Sequence, residues 1–450
     1  MVFSAEERCN MKIAIVNSKL DAAGVNIRRC LLEKLKPAGD EIKYHSHNLF
    51  FYESEGRLIY ERGLDERLRS DLIIFISRHS GKDPLPALTV HVTGNYQNAM
   101  LGGEDKTLAY ASPEFMHAVL NSMNKKAPFG YRVSYEVTHH GPTDLKTPSF
   151  FVEIGSTDNE WNDKFAGLAV SDSILEALRD DMHITINLVG FGASHYAARE
   201  TEIALNSQGA FGHIAHTREA GGLSHEMILQ MIEKSSAHAA YIDKKALSGS
   251  DNSRIEAILK ELNIPVLSEG EIKDIGDIRW EKYLEIRKTA ASFDSSCRIH
   301  IGSLKGTGMP VLIKIDPVLF EEALKTDEKE FIGSIKRQNA VYMSSQKGRI
   351  LPIFITYEEN RLQTINELIS LCVKTLHKDK DTVVIDDNLV IRKTRFDPAK
   401  AAELGVPEGP FFGKLAAGFD VMAGGKKITP SMVSKYSEKV IRVPGLEKYL

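Results

Sequence analysis

Two imidazoles and a carboxylate come close together in one short stretch of the sequence. His139 and His140 end a predicted strand over Tyr131–Thr138, and Glu153 lies in a second predicted strand over Ser149–Gly155. The segment between the strands contains glycine and prolines, so the sequence predicts a hairpin with a polar turn. Imidazoles and a carboxylate on adjoining strands are what a zinc ion or a hydrolytic site needs. The alternative is a structural hairpin whose histidines cap the turn and whose Glu153 faces water.

Two more histidines follow predicted strands elsewhere in the chain. His79 comes after the apolar run Asp71–Ile76, and His195 comes after Ile184–Val189 and a glycine-containing turn. Strands of one open α/β sheet bring their carboxyl ends into a shared crevice, where ligands bind. We therefore expect both histidines to lie beside the His139–His140 pair in one site.

His91 receives a different interpretation. It lies between two valines in the predicted strand Leu88–Thr93. A lone histidine in an apolar strand is more often a hydrogen-bonded core residue than a ligand. His79 is harder to explain in that way, because it stands in a polar loop after Arg78.

The end of the first predicted strand offers polar side chains to the same crevice. Asn17, Ser18 and Asp21 follow the apolar run Met11–Val16 and precede a predicted helix that ends near Leu35. They could bind a ligand at the carboxyl end of the strand, or they could only cap the helix. No GxGxxG or P-loop sequence occurs there, so a dinucleotide or a nucleoside triphosphate is not predicted.

The composition is typical of a soluble globular protein. The 450 residues are 42% hydrophobic and 26% charged, with a formal net charge of −4. Such a chain lacks the general positive charge of many nucleic-acid-binding proteins, and no apolar run reaches membrane-spanning length. Four scattered cysteines without CxxC spacing predict reduced thiols in a cytoplasmic protein. The first ten residues are too polar for a signal peptide and are interpreted as an extension.

Strands and helices alternate through about Leu267, which predicts an α/β domain with a mixed, largely parallel sheet flanked by helices. One helix is expected to be long, from Glu160 to about Asp181. A smaller C-terminal domain of α/β or α+β type is predicted after a polar, charged stretch. We expect residues 11–270 to form the catalytic domain and residues 290–450 to form an accessory domain.

Six motifs in the first domain closely resemble those of one enzyme family. They are, in chain order, VNSKLDAAGVNI, SRHSG, TVHVTGN, EVTHHGP, FVEIGST and GFGASHYAARET. The family is that of the archaeal and plant D-aminoacyl-tRNA deacylases, which are zinc-dependent. The resemblance implies a fold similar to peptidyl-tRNA hydrolase and nucleoside phosphorylases, and hydrolysis of the ester between a D-amino acid, such as D-tyrosine, and tRNA. Two positions depart from the family, since Ala193-Ser194 replaces part of a triple glycine and Ala198 replaces a proline.

The resemblance and the strand ends together predict the site residues. The catalytic group is expected to be His79, His139, His140, Glu153 and His195. The expected Zn²⁺ ligands among them are His139, His140, His195 and Glu153. The expected substrate-binding residues are Asn17, Ser18, Asp21, Arg78, Asn95 and Tyr196. Which residue ligates the metal and which acts as base stays open. A rival mechanism like that of peptidyl-tRNA hydrolase uses one histidine as base and Asn17 or Asn95 to position the substrate.

Two other functions fit the same residues. A metal-dependent hydrolase of small acyl amino acids would act without tRNA, whereas a non-catalytic tRNA-binding protein would leave the ester intact. In the preferred interpretation the partner is a D-aminoacyl-tRNA, no membrane is involved, and the protein is a cytoplasmic monomer.

The predicted accessory domain carries basic residues that could hold tRNA. They are Arg392, Lys393, Arg395, Lys400, Lys414, Lys426 and Lys427. Lysine and arginine contacts to phosphates give an affinity that falls as salt rises, but the same residues could equally form an ordinary solvated surface. The segment Phe396–Leu415 also resembles a stretch of ribonuclease Z proteins. The HxHxDH zinc motif of that enzyme is absent from the sequence, so no nuclease activity is predicted.

Overall fold

The computed structural model describes residues 10–37, 39, 41–81, 85–179 and 184–450. The chain divides into two compact units, residues 1–283 and residues 284–450. This division falls between the predicted domain bounds at residues 270 and 290, and the independent folding of each unit stays a prediction. The predicted N-terminal extension lies outside the described residues except for Asn10. Among the described residues, no helix is both long and apolar enough to cross a membrane.

The first unit alternates strands with helices, as the sequence predicts. Its strands are β1 Lys12–Ser18, β2 Glu41–Tyr44, β3 His47–Ser54, β4 Leu72–Arg78, β5 Ala87–His91, β6 Gly94–Asn95, β7 Thr107–Leu108, β8 Arg132–Tyr135, β9 Ser149–Gly155, β10 Ile186–Ala193, β11 Gly209–His216 and β12 Ala239–Ile242. Its helices are α1 Ala22–Leu35, α2 Leu64–Leu68, α3 Pro113–Lys126, α4 Asp158–Trp161, α5 Lys164–Ala177, α6 Ala198–Leu205, α7 Thr217–Ala220, α8 His225–Lys234, α9 Gly249–Glu261 and α10 Glu269–Asp274, with a 3₁₀ helix over Leu58–Tyr60. Helix α11, Trp280–Phe293, runs through the division of the chain.

A mixed sheet with the strand order β2-β3-β1-β4-β9-β5-β8 forms the centre of the first unit. Strands β3, β1, β4 and β9 are parallel neighbours. Strand β5 pairs antiparallel with β9 and parallel with β8, so β5 and β8 run opposite to the central strands. The predicted mixed, largely parallel sheet flanked by helices is confirmed.

The predicted hairpin of β8 and β9 is wrong, because β5 lies between these two strands and pairs with both. The segment after β8, which carries His139 and His140, therefore crosses the end of β5. There His139 forms a parallel bridge with Thr93, and the backbone N–H of Gly94 donates to the His140 carbonyl at 2.9 Å. A local pattern indicates which residues form strands but does not indicate which strands become neighbours.

Apolar strands explain why the sheet is the core of the first unit. Strand β4 is a continuous apolar run, and its residues from Leu72 to Ile76 are fully buried, as expected for a strand covered on both faces. Phe75 and Phe151, on neighbouring strands, stack with ring centroids 4.5 Å apart. Helices α1, α3 and α5 pack against the sheet. A second, parallel sheet with the order β11-β10-β12 packs with α8 and α9 around its own apolar cluster.

The predicted long helix from Glu160 is two helices, α4 and α5. Thr157 caps α4 in a capping box with Glu160. Asp163 then caps α5, because its carboxylate accepts a hydrogen bond from the Phe165 N–H at 2.8 Å. A new N-cap begins a new helix, so the prediction of one continuous helix is wrong.

The second unit is of the α+β type, in agreement with one of the two predicted classes. Its strands are β13 Arg298–His300, β14 Pro310–Lys314, β15 Val341–Ser344, β16 Ile350–Tyr357, β17 Thr382–Ile385, β18 Asn388–Phe396, β19 Val421–Ala423, β20 Lys426–Ile428 and β21 Ser434–Arg442. Its helices are α12 Pro317–Thr326, α13 Glu328–Ile335, α14 Arg361–His377, α15 Pro398–Glu403 and α16 Pro410–Ala416, with 3₁₀ helices over Glu358–Asn360, Pro430–Val433 and Leu446–Lys448. The strands form antiparallel sheets with the orders β13-β15-β16-β14, β17-β18-β21 and β19-β20. Helices α12, α13 and α14 contribute to an apolar core that contains Phe320, Phe331 and Phe354.

Candidate active site

A cavity of about 360 Å³ in the first unit brings all five predicted catalytic side chains together. These side chains are His79, His139, His140, Glu153 and His195. Three of the predicted substrate-binding residues, Ser18, Asp21 and Arg78, line the same cavity. The expectation of one shared site is therefore correct in space, while the chemical role of each residue stays a prediction.

Strands β4 and β9 position His79 and Glu153. Ser77 is the register partner of Glu153 in this parallel pair, and its hydroxyl donates to the Glu153 carboxylate at 2.6 Å. The backbone N–H of His79, directly after β4, donates to the Ile154 carbonyl of β9 at 2.9 Å and holds His79 against β9. A Cβ atom at Gly155 would lie 2.7 Å from the His79 ring, so only glycine allows this close approach of β9 to the imidazole.

Strands β5 and β8 reach the same place from the opposite direction. His91 is the last residue of β5, and Glu136 directly follows β8. His195 follows β10, which belongs to the other sheet. The argument that carboxyl ends of one parallel sheet converge is thus wrong as the reason for the clustering. The histidines meet because oppositely directed strands and a second sheet end around one point.

Glu136 is the carboxylate on which three imidazoles converge. It is fully buried, and its oxygens lie 3.0 Å from His79 Nδ1, 3.2 Å from His195 Nε2 and 3.7 Å from His139 Nε2. Neither oxygen accepts a hydrogen bond of good geometry from any described residue. A buried carboxylate surrounded by nitrogens that are not aligned for hydrogen bonding has the donor pattern of an ion site.

His91, His139 and His140 form a second group beside the first. The His91 and His139 ring centroids lie 4.4 Å apart, as do those of His139 and His140. Each ring turns Nδ1 towards a backbone carbonyl, at 3.2, 2.7 and 2.7 Å for His91, His139 and His140 respectively. Such contacts fix the tautomer with the proton on Nδ1 and leave Nε2 free as a ligand atom.

The carboxylates and imidazoles shift one another's proton affinities. Burial lowers the pKa of His79, but contacts with Glu136 and Glu153 outweigh burial and raise that pKa to about 11. Burial raises the pKa of Glu136, but His195 and His79 outweigh it and hold the pKa well below its usual range. The pKa of Glu153 is likewise lowered by its imidazole neighbours against the effect of burial. Both carboxylates are therefore charged at neutral pH.

The pKa values of His139 and His140 are shifted downwards. Burial lowers the pKa of His139 to about 4, with a further contribution from the charge of His91. Burial also lowers the pKa of His140 well below its usual value, and His139 adds to the shift. Both imidazoles are neutral at pH 7, which is the form that binds a metal ion.

The donor set fits a zinc ion. Three groups of side chains could each hold an ion, with ligand atoms within 4.8 Å of one another: His91 with His139 and His140, His79 with Glu136 and His195, and His91 with Glu136 and Glu153. Nε2 of His91 is buried without a hydrogen-bond partner among the described residues, as are both Glu136 oxygens. Orphaned buried atoms of these types are what imidazole and carboxylate ligands of zinc would present.

The polar residues after β1 combine the two roles that the sequence left open. The Asp21 carboxylate caps α1 by accepting from the Gly24 N–H at 2.9 Å, and it also accepts from the Arg78 N–H at 3.0 Å. Burial raises its pKa, against the effect of these backbone hydrogen bonds. Ser18 lines the cavity and donates to the Gly56 carbonyl at 2.6 Å. Asp21 is therefore both a helix cap and part of the cavity wall.

The other three predicted substrate-binding residues, Asn17, Asn95 and Tyr196, are not among the described residues that line the cavity. Asn17 is buried and donates to Glu53 at 3.0 Å, and Asn95 donates to the Gly102 and Glu104 carbonyls. The Tyr196 hydroxyl lies 3.1 Å from His79 Nε2. Tyr196 thus contacts the site through His79, and a role of the three residues in substrate binding stays a prediction.

Sequence reasoning missed Glu136 and His91. Glu136 stands three residues before His139 in the EVTHHGP motif, and this spacing was a signal that could have been used. His91 was interpreted as a core histidine, although its Nε2 lacks a hydrogen-bond partner among the described residues. The core interpretation applies instead to His213, whose nitrogens lie 3.1 Å from the Thr138 hydroxyl and 2.9 Å from the Ala109 carbonyl.

Comparisons with known proteins agree with the motifs. A family model described as D-aminoacyl-tRNA deacylase matches residues 66–267. The D-aminoacyl-tRNA deacylase of Methanoculleus marisnigri is 46% identical over 440 residues, covering 98% of this chain and 100% of that protein. The D-aminoacyl-tRNA deacylase of Thermococcus kodakarensis is 37% identical over 274 residues, covering 58% of this chain and 100% of that protein.

A solved structure extends the comparison to the fold. It is described as a conserved protein of unknown function and is 34% identical, with a TM-score of 0.55, covering 60% of this chain and 98% of that one. Three observations therefore agree: the order of the motifs in the sequence, their convergence in one cavity, and the near-complete coverage of a relative at 46% identity. The chain belongs to the D-aminoacyl-tRNA deacylase family.

Proposed function

We propose that the protein hydrolyses the ester bond between a D-amino acid and tRNA and releases both products. The observation that carries this proposal is the single cavity into which four family motifs send their imidazoles and carboxylate. His79 comes from SRHSG, the histidine pair from EVTHHGP, Glu153 from FVEIGST and His195 from GFGASHYAARET. Relatives that match over nearly the whole chain carry the name of this activity, which supports the proposal.

The cavity has two kinds of wall, and both suit an aminoacyl ester. Imidazoles and carboxylates form one wall, where a water can be held and deprotonated and a developing oxyanion can be stabilised. Leu20, Leu58 and Leu101 contribute apolar surface, which can accept the side chain of the amino acid. The Asp21 carboxylate also lines the cavity, and we assign to it the α-ammonium group of the substrate.

We propose Zn²⁺ as the cofactor, with ligands from a larger set than the sequence predicted. His91 and Glu136 join His139, His140 and His195, and Glu153 lies against both groups. Zinc, when bound, supplies Lewis-acid polarisation of the ester carbonyl. Tyr196 and the carboxylates hold the protonated His79 imidazole in place, so that it can deliver a proton beside the ester.

Metal content in two matched variants tests the ligand set. His91→Gln should lose bound zinc, since an imidazole whose Nε2 has no hydrogen-bond partner among the described residues is removed. His213→Gln replaces an equally buried strand histidine whose nitrogens are satisfied, and it should retain zinc. Elemental analysis of both folded proteins gives the answer, and unchanged zinc in the His91 variant would remove that residue from the set.

Release of amino acid from D-tyrosyl-tRNA and L-tyrosyl-tRNA, with and without a chelator, tests the function. We expect rapid release from the D-form, slow release from the L-form, and loss of activity with the chelator. Equal rates on both forms would contradict chiral selection. Hydrolysis of N-acetyl amino acids with no action on the tRNA ester would favour a small-molecule hydrolase, and binding of tRNA without release would favour a non-catalytic protein.

We further propose that the protein is a cytoplasmic monomer. The described cysteines Cys30, Cys297 and Cys372 are free, which supports a reducing compartment. Light scattering of the purified protein should give a mass near 50.1 kDa, and a doubled mass would contradict the monomer.

A further inference from the structure

The two units of the chain carry opposite net charges. Residues 284–450 contain 26 Lys and Arg against 21 Asp and Glu, a net charge of +5, whereas residues 1–283 contain 31 against 40, a net charge of −9. The segment 388–442, from the start of β18 to the end of β21, has 10 basic and 5 acidic residues and accounts for the whole excess. Positive charge of such local origin is typical of a surface that binds a polyanion.

The ribbon formed by β18 and β21 places like charges opposite each other. Arg395 and Lys435 are direct register partners in this antiparallel pair, and both are exposed. Neither forms an ion pair with a carboxylate among the described residues. Like charges at directly opposite positions destabilise a sheet, and a bound anion between them would reverse that effect.

A second excess of positive charge lies at the Glu322 cluster, which consists of Glu322 and three lysines. Glu322 is a buried residue of α12, and its Oε1 lies 2.9 Å from the Nζ atoms of both Lys325 and Lys439. Its Oε2 lies 3.4 Å from Lys393 Nζ. One carboxylate thus holds three ammonium groups together. Strand alternation puts the two ribbon lysines of this cluster on the same ribbon face as the opposed Arg–Lys pair.

Three other basic residues of this segment are already ion-paired or hydrogen-bonded. Lys427 pairs with Asp420 at 2.7 Å, and Arg392 faces Glu438 at 3.7 Å. Lys400 donates to the Ser434 carbonyl at 2.8 Å. Four cations lie together on one ribbon face, which we call the basic face: Lys393, Arg395, Lys435 and Lys439. Two of them share Glu322 with Lys325, and the other two form no ion pair among the described residues.

We propose that the basic face binds the phosphate backbone of the tRNA whose ester is hydrolysed in the first unit, an inference that rests on the proposed function. Alternate residues of a strand are about 7 Å apart, so the four cations, of which Lys393 is half-buried and the others are exposed, form a row instead of a closed pocket. A row suits a chain of phosphates better than one small anion. Phosphate contacts give affinity without sequence preference, so the basic face would bind tRNA irrespective of its sequence.

The test removes the opposed pair and measures tRNA binding by the full-length protein. In the variant Arg395→Gln/Lys435→Gln, the slope of log K against log salt for fluorescently labelled, uncharged tRNA should fall by about 2, or about 1 for each lost phosphate contact. The melting temperature should stay the same or rise, because a repulsive pair has been removed. The matched control is Lys336→Gln/Lys347→Gln, which removes two exposed charges of the same unit outside the ribbon and should leave the slope unchanged.

Kinetics separate this inference from the proposed function. On D-tyrosyl-tRNA the ribbon variant should show a raised KM and an unchanged kcat, and on a D-tyrosyl ester of adenosine it should equal the wild type. If the wild-type protein hydrolyses D-tyrosyl-tRNA but the variant keeps its KM and its salt slope, the basic face is not the tRNA contact. Binding of the basic face to vesicles with anionic phospholipid, with no binding to tRNA, would also overturn the inference. No hydrolysis by the wild type would instead defeat the proposed function.

Discussion

At the scale of single residues, Glu136 has the most contacts with the other charged groups of the site. Its two oxygens face three imidazoles from three different segments of the chain. Replacement by an amide keeps the volume but removes the charge that holds these imidazoles. An amide also donates hydrogens towards nitrogens that already face the centre of the cavity.

Glu136→Gln should therefore lower kcat by about a hundredfold or more, within the range that a positioned acid, base or ligand contributes, and it should lower bound zinc. Deacylation of D-tyrosyl-tRNA and metal content are measured together. The control is Glu200→Gln, at a carboxyl that is equally buried and whose pKa is raised to about 7, chiefly by burial. It should leave both quantities near wild type, and a Glu136 variant with normal turnover would contradict the assignment.

The sequence predicted part of the site at this scale. His79 was found because it stands in a polar loop after a predicted strand, and Glu153 because its predicted strand follows the His139–His140 pair closely in the sequence. His91 was missed because apolar neighbours give a ligand and a core histidine the same local pattern. The difference between His91 and His213 is whether a hydrogen-bond partner meets the ring nitrogen, and those partners come from distant segments.

At the scale of elements, local sequence signals predicted which strands and helices form better than they predicted which strands lie next to each other. The apolar runs of β4 and β9 and the cap of α3 follow from the sequence, since Ser112 precedes Pro113 at the first helical position. The break between α4 and α5 was also readable, because Asp163 is a second N-cap residue. The position of β5 between β9 and β8 was not readable, because strand order depends on long-range pairing.

The Glu322 cluster gives a prediction about pH at the same scale. Burial raises the pKa of Glu322, but Lys325 and Lys439 outweigh it and lower that pKa to about 2. The unfolded carboxyl titrates near 4.5. The stabilisation is therefore complete above pH 4.5 and is lost as pH falls towards 2, because the unfolded state takes up the proton first.

Glu322→Gln should accordingly lower the free energy of unfolding by about 2 kcal/mol at neutral pH, a value reduced for the solvent exposure of the lysine partners. The difference from wild type should be constant above pH 4.5 and should shrink below it. Denaturant titrations between pH 7 and pH 3 measure this difference. Glu328→Gln, at an exposed helix position, serves as the control and should show a smaller effect. A difference that grows on acidification would contradict the assigned direction.

At the scale of the whole molecule, the sequence predicted two domains but did not predict how charge is distributed over the surface of each. The opposite charges of the two units can be counted from the sequence alone. The row of cations on one ribbon face cannot, because it depends on the register that sets Arg395 against Lys435. An accessory role for the second unit stays a prediction.

The large sequence separation between contacting residues of the site also has a consequence for the order of events in folding. Ser77 and Glu153 are 76 residues apart, and His79 and Tyr196 are 117 residues apart. Large loops must close before such contacts form, and chains of this kind fold slowly. The proposed ligand atoms consequently meet only late, and the proposed zinc ion would have no assembled site to bind on the early chain.

We therefore expect zinc to slow unfolding while leaving the refolding rate unchanged, because a ligand that binds only the native state adds stability after the folding barrier. Stopped-flow refolding and unfolding, each with zinc and with a chelator, would measure the two rates. Faster refolding with zinc would mean that the site is already formed at the transition state. With an unchanged refolding rate, zinc would stabilise only the native chain, and its loss would shorten the lifetime of the folded protein without changing how the chain reaches its fold.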